Sequence, residues 1–315
     1  MKTFCSLDAL SGNTKPSVVS VGNFDGVHLG HQMVLKSMVE RARELKANSV
    51  VVTFDPHPSH VLHNSRRTPL ITPLAHKLDL LATAGIDLTL VLRFDEDLRR
   101  CSAREFAQNI LHDALHTVEV HEGETFRFGY GAAADVASLS EIGRELGFAV
   151  RAYEPRIIDG APVSSSRIRA LITAGDIADA NSLLGRSFSV RSTPAPGRGY
   201  GTRYTVPTIN LAAYPELLPA IGVYVTTLTV GVSATSRTFQ GVTNVGNRPT
   251  FGADSFAVET HLLDFEPIPL DESTPLELAF LHRIRDEHRF ESPEALRAQI
   301  QRDVATAKSI FAGRE

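Results

Sequence analysis

The chain holds 315 residues, 43% hydrophobic and 22% charged, a composition that excludes wholesale disorder and leaves room for two domains with separate cores. A net charge of −4 argues against a protein built to coat nucleic acid, and the sequence has no run of about 18 apolar residues to span a membrane. Two cysteines, Cys5 and Cys101, form neither a disulfide framework nor a metal-ligand spacing, and no secretory signal precedes them, so a cytoplasmic protein is expected.

Val18-Val19-Ser20-Val21 reads as a buried strand that ends in a glycine-bounded turn around Asn23. Val34, Leu35, Met38, Val39, Ala42 and Leu45 then recur at helical spacing. A second strand is expected from Ser49 to Phe54. A helix through Leu74, Leu78 and Leu81 follows, with Thr72-Pro73 as cap and first turn and Gly85 as its stop. Leu88 to Leu92 is the next strand, and Ser102 with Glu105 has the capping-box pattern of a further helix. This alternation predicts an α/β domain with a parallel sheet and helices on both faces.

Near Arg186 the texture changes. The segment from Arg191 to Gly201, with Gly197, Gly199 and Gly201, is rich in Pro and Gly and has no apolar period. Beyond it lie short runs enriched in β-branched residues: Val223 to Val230, Phe239 to Val245, Val258 to Leu263 and Leu276 to Leu281. Strands without intervening helices predict an antiparallel barrel or sandwich. Ser292-Pro293 opens a closing helix with Leu296, Ile300, Val304 and Ile310 on one face. The expected domains are therefore residues 1–185 and 186–315.

A glycine-bracketed turn after the first strand of a parallel sheet presents backbone N–H groups where phosphate binds favourably. Here it leads into His28-Leu29-Gly30-His31, whose two imidazoles can face one phosphate chain while Gly30 admits a ligand close to the backbone. A zinc reading is poorer, since no obvious Cys or carboxylate partner accompanies the pair. Ser164-Ser165-Ser166 reads as a helix cap before Ile168 to Ile172, and a cap and a phosphate site are the same arrangement of N–H groups. His57, between Pro56 and Pro58, is held in an extended, pre-proline conformation and reads as a strand-end turn.

Taken in order, these segments resemble prokaryotic bifunctional riboflavin kinase/FAD synthetases. Gly22-Asn23-Phe24-Asp25-Gly26-Val27-His28-Leu29-Gly30-His31 resembles the family's nucleotidyltransferase signature, and Thr53-Phe54-Asp55-Pro56-His57-Pro58 its second motif. Phe126-Arg127-Phe128-Gly129 resembles its flavin-side segment, and Val163-Ser164-Ser165-Ser166-Arg167-Ile168-Arg169 the motif that closes over the ATP phosphates. The resemblance implies a Rossmann-like domain in which the FMN phosphate attacks the α-phosphorus of ATP and pyrophosphate leaves. Catalysis would rest on in-line positioning and charge neutralisation. By resemblance His28 and His31 are catalytic, and Gly22, Asn23, Phe24, Asp25, Gly30, Ser164, Ser165, Ser166 and Arg169 hold ATP. His57, Pro58, Thr125, Phe126, Arg127 and Phe128 form the flavin side, with Thr125 standing where the family carries Asn or Asp.

The second half resembles the family's riboflavin kinase module, a β-barrel with a terminal helix. Gly197-Arg198-Gly199-Tyr200-Gly201 precedes Pro207-Thr208-Ile209-Asn210, similar to a Pro-Thr-Ala-Asn motif. Gly222-Val223-Tyr224, the segment from Asn244 to Gly252 and the segment from Glu259 to Phe265 follow in family order. The resemblance implies that Gly197, Gly199, Gly201, Thr208 and Asn210 bind Mg2+-ATP and that Glu259 takes the proton from the riboflavin 5′-hydroxyl. Arg248 would line the nucleotide or flavin pocket. Thr205 and Ile209 replace smaller residues in a loop meant to approach ATP. The expectation is riboflavin to FMN, then FMN to FAD, by a monomer or weak homo-oligomer whose partners are small molecules. The alternatives are an adenylyltransferase for another phosphorylated small molecule and a flavin-binding protein with one degenerate site.

Overall fold

The computed structural model describes residues 1–10, 15–62, 67–195, 208–231, 236–247, 256–264 and 270–313. By internal contacts the chain divides into two units, Met1–Ser165 and Ser166–Glu315.

In the first unit, six strands pair in parallel: β1 (Lys2–Phe4), β2 (Ser17–Val21), β3 (Asn48–Asp55), β4 (Leu88–Arg93), β5 (Thr117–Gly123) and β6 (Ala149–Tyr153). Their order is β1-β4-β3-β2-β5-β6. Alternate side chains of one strand serve opposite faces. Val19, Val21, Val50 and Val52 join one core with Ile110, Leu111 and Leu139. Val18 and Val51 join a second with Leu35, Met38 and Leu81. Burial on both faces is why these strands read as unbroken apolar runs. From β2 the chain moves to β3 and β4 on one side, then returns to β5 on the other. The carboxyl ends of β2 and β5 therefore flank the topological switch point, where open parallel sheets bind ligands.

Helix α1 (Leu29–Glu44) buries Val34, Leu35, Met38, Val39 and Ala42, while Leu45 is its exposed C-cap. The short α2 (Pro58–Leu62) follows β3. Helix α3 (Leu74–Thr83) begins later than the Thr72-Pro73 pattern predicts. Pro73 occupies the N-cap without a side-chain bond, because Thr72 is drawn to Asp25 instead. After α4 (Glu96–Arg100), the Ser102/Glu105 capping box is formed at the start of α5 (Ala103–Phe106), which continues as a π-helical stretch, Ala107–Ala114. Asp135 caps α6 (Val136–Leu146) by accepting from Ser138 N. A short hairpin, β7 (Ile157–Ile158) and β8 (Ala161–Pro162), leads to α7 (Ser165–Ala174) and α8 (Ile177–Leu184).

Helix α8 belongs to the second unit because it packs on the barrel: Asn181 Nδ2 donates to Phe280 O and its Oδ1 accepts from Phe188 N. The contact division thus falls ahead of the change of texture near Arg186. Seven strands follow: β9 (Phe188–Ser192), β10 (Pro194–Ala195), β11 (Thr208–Leu211), β12 (Gly222–Val230), β13 (Arg237–Asn247), β14 (Phe256–Leu262) and β15 (Leu276–Arg285). All pairs are antiparallel, in the order β10-β11-β14-β13-β12-β15-β9. The two edge strands, β9 and β10, are separated in sequence only by Thr193. One continuous stretch thus forms both edges, so the sheet curls around into a barrel.

The C-terminal helix (Pro293–Ala312) starts at Ser292, whose side chain accepts from Ala295 N, with Pro293 in the first turn. Its later half meets the barrel: Val304, Ala307, Ile310 and Phe311 pack with Val223, Val225, Val242 and Leu281. Leu296 lies outside that seam and is 42% exposed, unlike the single apolar face expected. The helix is tied to β15 by Arg285, whose Nε and Nη2 donate to the two carboxylate oxygens of buried Asp303 at 3.1 and 2.8 Å.

Candidate active sites

The first site is built on the turn between β2 and α1. Phe24 (φ +48°) and Val27 (φ +37°) take positive φ, which a residue with a side chain holds only when the surroundings over-determine it, and Gly26 between them (φ +83°) takes it freely. Three groups of hydrogen bonds provide that constraint. The Asp25 carboxylate accepts from Ile71 N and Thr72 N, each at 3.0 Å. Gly26 N donates to Thr72 Oγ1 at 2.9 Å. Ser165 Oγ, the first residue of α7, donates to Asp25 O at 2.8 Å. The Asp25 side chain thus anchors the turn through the segment before α3. Ser164 and Ser165 are half-buried, and Ser166 and Arg169 follow along α7, Ser166 exposed and Arg169 half-buried.

His28 is the N-cap of α1: its Nδ1 accepts from His31 N at 3.3 Å. An accepting Nδ1 leaves the ring proton of the neutral imidazole on Nε2, which is therefore a donor. The His28 and His31 rings stack, 3.6 Å between centroids and 14° apart, and Phe24 meets His31 edge-on at 5.1 Å. A Cβ on Gly30 would stand 3.2 Å from the His28 ring, so glycine there keeps the stack open. Two imidazoles and the first-turn amides of α1, which have no intrahelical acceptor, share one end of β2.

The sequence reading missed Lys77. It lies among Leu74, Leu78 and Leu81 on α3, is only 6% exposed, and donates from Nζ to Asn23 O and to Thr53 Oγ1, each at 3.0 Å. Burial lowers its pKa to about 8, against the pull of Asp25 and Asp55. The signal was a cation at a core position of an amphipathic stripe. Glu122, at the carboxyl end of β5, was missed too: it is buried, accepts from Val21 N at 2.5 Å, and burial pushes its carboxyl well above the ordinary range.

In the segments expected to form the flavin side, a cis Asp55-Pro56 bond precedes His57, whose Nδ1 is bonded to Ser59 Oγ at 2.8 Å at the start of α2. Pro58 is the first residue of that helix. Phe126 and Phe128 stack at 5.3 Å and pack into the core beside Phe106, whereas Thr125 and Arg127 are exposed. Gly129 (φ +75°) closes the segment against α5, where a Cβ would meet Ala103 N at 2.7 Å.

The second site lies on the barrel. Asn210 of β11 and Asn244 of β13 both stand directly opposite Glu259 of the intervening β14. Thr208 lies opposite His261 and so shares that face. Asn210 is buried, Glu259 is half-buried, and Asn244 Nδ2 donates to Glu287 Oε1 at 3.1 Å. Ile209 stands opposite Thr260, on the other face, and is 7% exposed. Its bulk therefore points away from the Asn210/Glu259 face. On that other face Thr226, Thr243 and Thr260 form a buried hydroxyl chain at 2.7 and 2.9 Å. Gly197, Gly199, Gly201, Thr205 and Arg248 lie outside the described residues.

A parallel-sheet unit with stacked imidazoles at its switch point, and a barrel carrying an Asn–Glu–Asn row, define a two-module transferase. Residues 10–167 match the FAD synthetase family and residues 184–311 the riboflavin kinase family. The Pseudomonas fluorescens bifunctional riboflavin kinase/FMN adenylyltransferase is 36% identical over 296 residues, covering 94% of this chain and 93% of its own. The counterpart from Escherichia coli K12 is 32% identical over 296 residues, covering 93% and 92%. A crystal structure of a macrolide-efflux protein from Streptococcus pneumoniae is similar with a TM-score of 0.86 at 26% identity, over 98% of this chain and 99% of that one. The chain belongs to the bifunctional riboflavin kinase/FMN adenylyltransferase family. No helix among the described residues is long and apolar enough to cross a membrane.

Proposed function

We propose that this chain makes FAD in two ATP-dependent steps, phosphorylating riboflavin to FMN at the barrel and adenylylating FMN at the parallel sheet. The observation that carries the reading is that two separate units each bring a motif pair together, His28 with His31 in one and Asn210 with Glu259 in the other. On this reading residues 1–185 are the adenylyltransferase module and residues 186–315 the kinase module.

In the first module an FMN phosphate oxygen attacks the α-phosphorus of ATP, and the bond to the pyrophosphate oxygen breaks in line. The phosphate is already ionised, so the protein's task is position and charge. His28 Nε2–H and the His31 ring donate to the phosphate chain, Ser164 and, on α7, Ser165, Ser166 and Arg169 hold it, and the amides of the turn receive the remaining charge. Thr125 and Arg127, the exposed members of their segment, face the flavin together with His57 and Pro58.

In the second module the riboflavin 5′-oxygen attacks the γ-phosphorus, its proton passes to the Glu259 carboxylate, and ADP leaves. Thr208 and Asn210 offer a hydroxyl and an amide oxygen, the hard donors that magnesium prefers, and would hold Mg2+ together with the ATP phosphates. Bound there, the ion neutralises charge on the transferring group. The partners are small molecules, with no role for nucleic acid, and the protein works in the cytoplasm as a monomer or weak homo-oligomer.

The test is to incubate the purified chain with riboflavin, ATP and magnesium and to resolve the flavins by chromatography. FMN appearing first and FAD after it is the expected result. No conversion, or FAD without transient FMN, contradicts it.

A further inference from the structure

Lys77 is a cation the first unit keeps inside. Its direct partners are neutral oxygens, Asn23 O and Thr53 Oγ1, each at 3.0 Å, and Thr53 Oγ1 itself reaches Asn23 O at 3.4 Å. The charged groups facing it are Asp25 of the turn and Asp55 at the end of β3, both of which favour the ammonium, while His76 is its buried neighbour on α3. A buried charge is costly unless something compensates it. Fold stability alone gives little reason to keep one on an apolar stripe, where leucine would pack without that cost. A triphosphate bound at the neighbouring turn supplies the reason.

We propose that Lys77 is the positioning cation of the adenylyl-transfer site, tying the Asn23 carbonyl to the end of β3 and holding a positive charge inside the phosphate turn. The inference rests on the assignment of the ATP phosphates to that turn. Strained Phe24 follows Asn23 directly, with Val27 three residues further on, so the ammonium fixes the start of the turn as Thr72 and Asp25 fix its middle.

The charge and the tether separate experimentally. Burial brings Lys77 to about 8 from 10.5, so its proton is lost in mildly alkaline solution. The neutral amine keeps two N–H donors and both acceptors, and only the charge disappears. With a folded value below the unfolded one, the unfolded chain binds more protons between those limits, so stability rises with pH through this window. Adenylyl transfer moves the other way and falls. A merely structural lysine gives the first trend without the second.

Initial rates of FMN to FAD and of riboflavin to FMN would be measured on the full chain between about pH 6.5 and 9.5. FAD formation by the wild type is expected to fall roughly tenfold relative to FMN formation across that range, and Lys77→Arg to remove the alkaline loss. Lys77→Met should lower kcat for FAD formation roughly a hundredfold, with KM for FMN within about threefold and FMN formation unchanged. Thr53→Val, which keeps shape and deletes one acceptor, should lower it roughly tenfold. FAD formation by Lys77→Met within about threefold of wild type, or an alkaline loss that persists in Lys77→Arg, overturns the proposal. Should both Lys77 variants melt at the assay temperature, undiminished FAD formation by Thr53→Val overturns it. His31→Ala separates the layers: full FAD formation there removes the phosphate assignment and this proposal with it, whereas a Lys77 failure beside an inactive His31→Ala removes the proposal alone.

Discussion

His28 caps the helix that carries His31, and the two imidazoles lie stacked at 3.6 Å, so one side chain serves both local folding and the proposed phosphate site. The two histidines should therefore fail differently. His28→Ala is expected to lose about 1 kcal/mol of stability with the cap, and His31→Ala much less. Both should lower FAD formation by roughly two orders of magnitude or more. Urea unfolding alongside chromatographic rates distinguishes the two effects.

Ile209 faces the barrel interior opposite Thr260, away from Asn210 and Glu259. Ile209→Ala should therefore leave KM for ATP in the kinase reaction unchanged while destabilising the barrel by about 2–5 kcal/mol. A lower KM for ATP without lost stability would mean that the side chain does project toward the nucleotide.

Asp303 receives Arg285 on both oxygens and Gln299 Nε2 on one of them, at 2.8 Å. Asp303→Ala leaves the guanidinium without its carboxylate at the joint between β15 and the C-terminal helix. Because Arg285 is partly exposed and lies over Phe290, the loss should fall near the lower end for broken buried pairs, about 3 kcal/mol, read from denaturant melts of the purified chain.

Glu122 holds its proton well above the ordinary carboxyl range because it is buried. A folded value above the unfolded one means that the native state binds more protons, so this group's stability contribution is complete below about pH 4 and is lost as pH rises through the folded value. Glu122→Gln removes that loss and keeps an oxygen for Val21 N. It should raise the melting temperature by a few degrees at neutral pH and flatten its dependence on pH, as read by scanning calorimetry.

Much of this was legible in the sequence, because alternating and helical periods register burial directly. Val18 to Val21 and the runs beyond Val223 became strands as read, and the Ser102/Glu105 capping box formed. What escaped was set by tertiary contact. Thr72 has the chemistry of a cap, but the buried Asp25 carboxylate needs its N–H and hydroxyl more than α3 does. Leu296 has the right spacing, yet the barrel core reaches only the later half of its helix. Lys77 occupies a core position that a hydropathy reading passes over as a polar gap. The direction of Ile209 depends on strand register, which a motif cannot state. The motif residues that did come together, His28 with His31 and Asn210 with Glu259, lie within one turn or across one strand pair.

The most direct test of two independent sites is to measure both products in two single variants of the full chain. His31→Ala should abolish FAD formation from supplied FMN while riboflavin is still converted to FMN at close to the wild-type rate, and Glu259→Ala should do the reverse. Loss of both activities in either well-folded variant, or of neither, would contradict two separate sites.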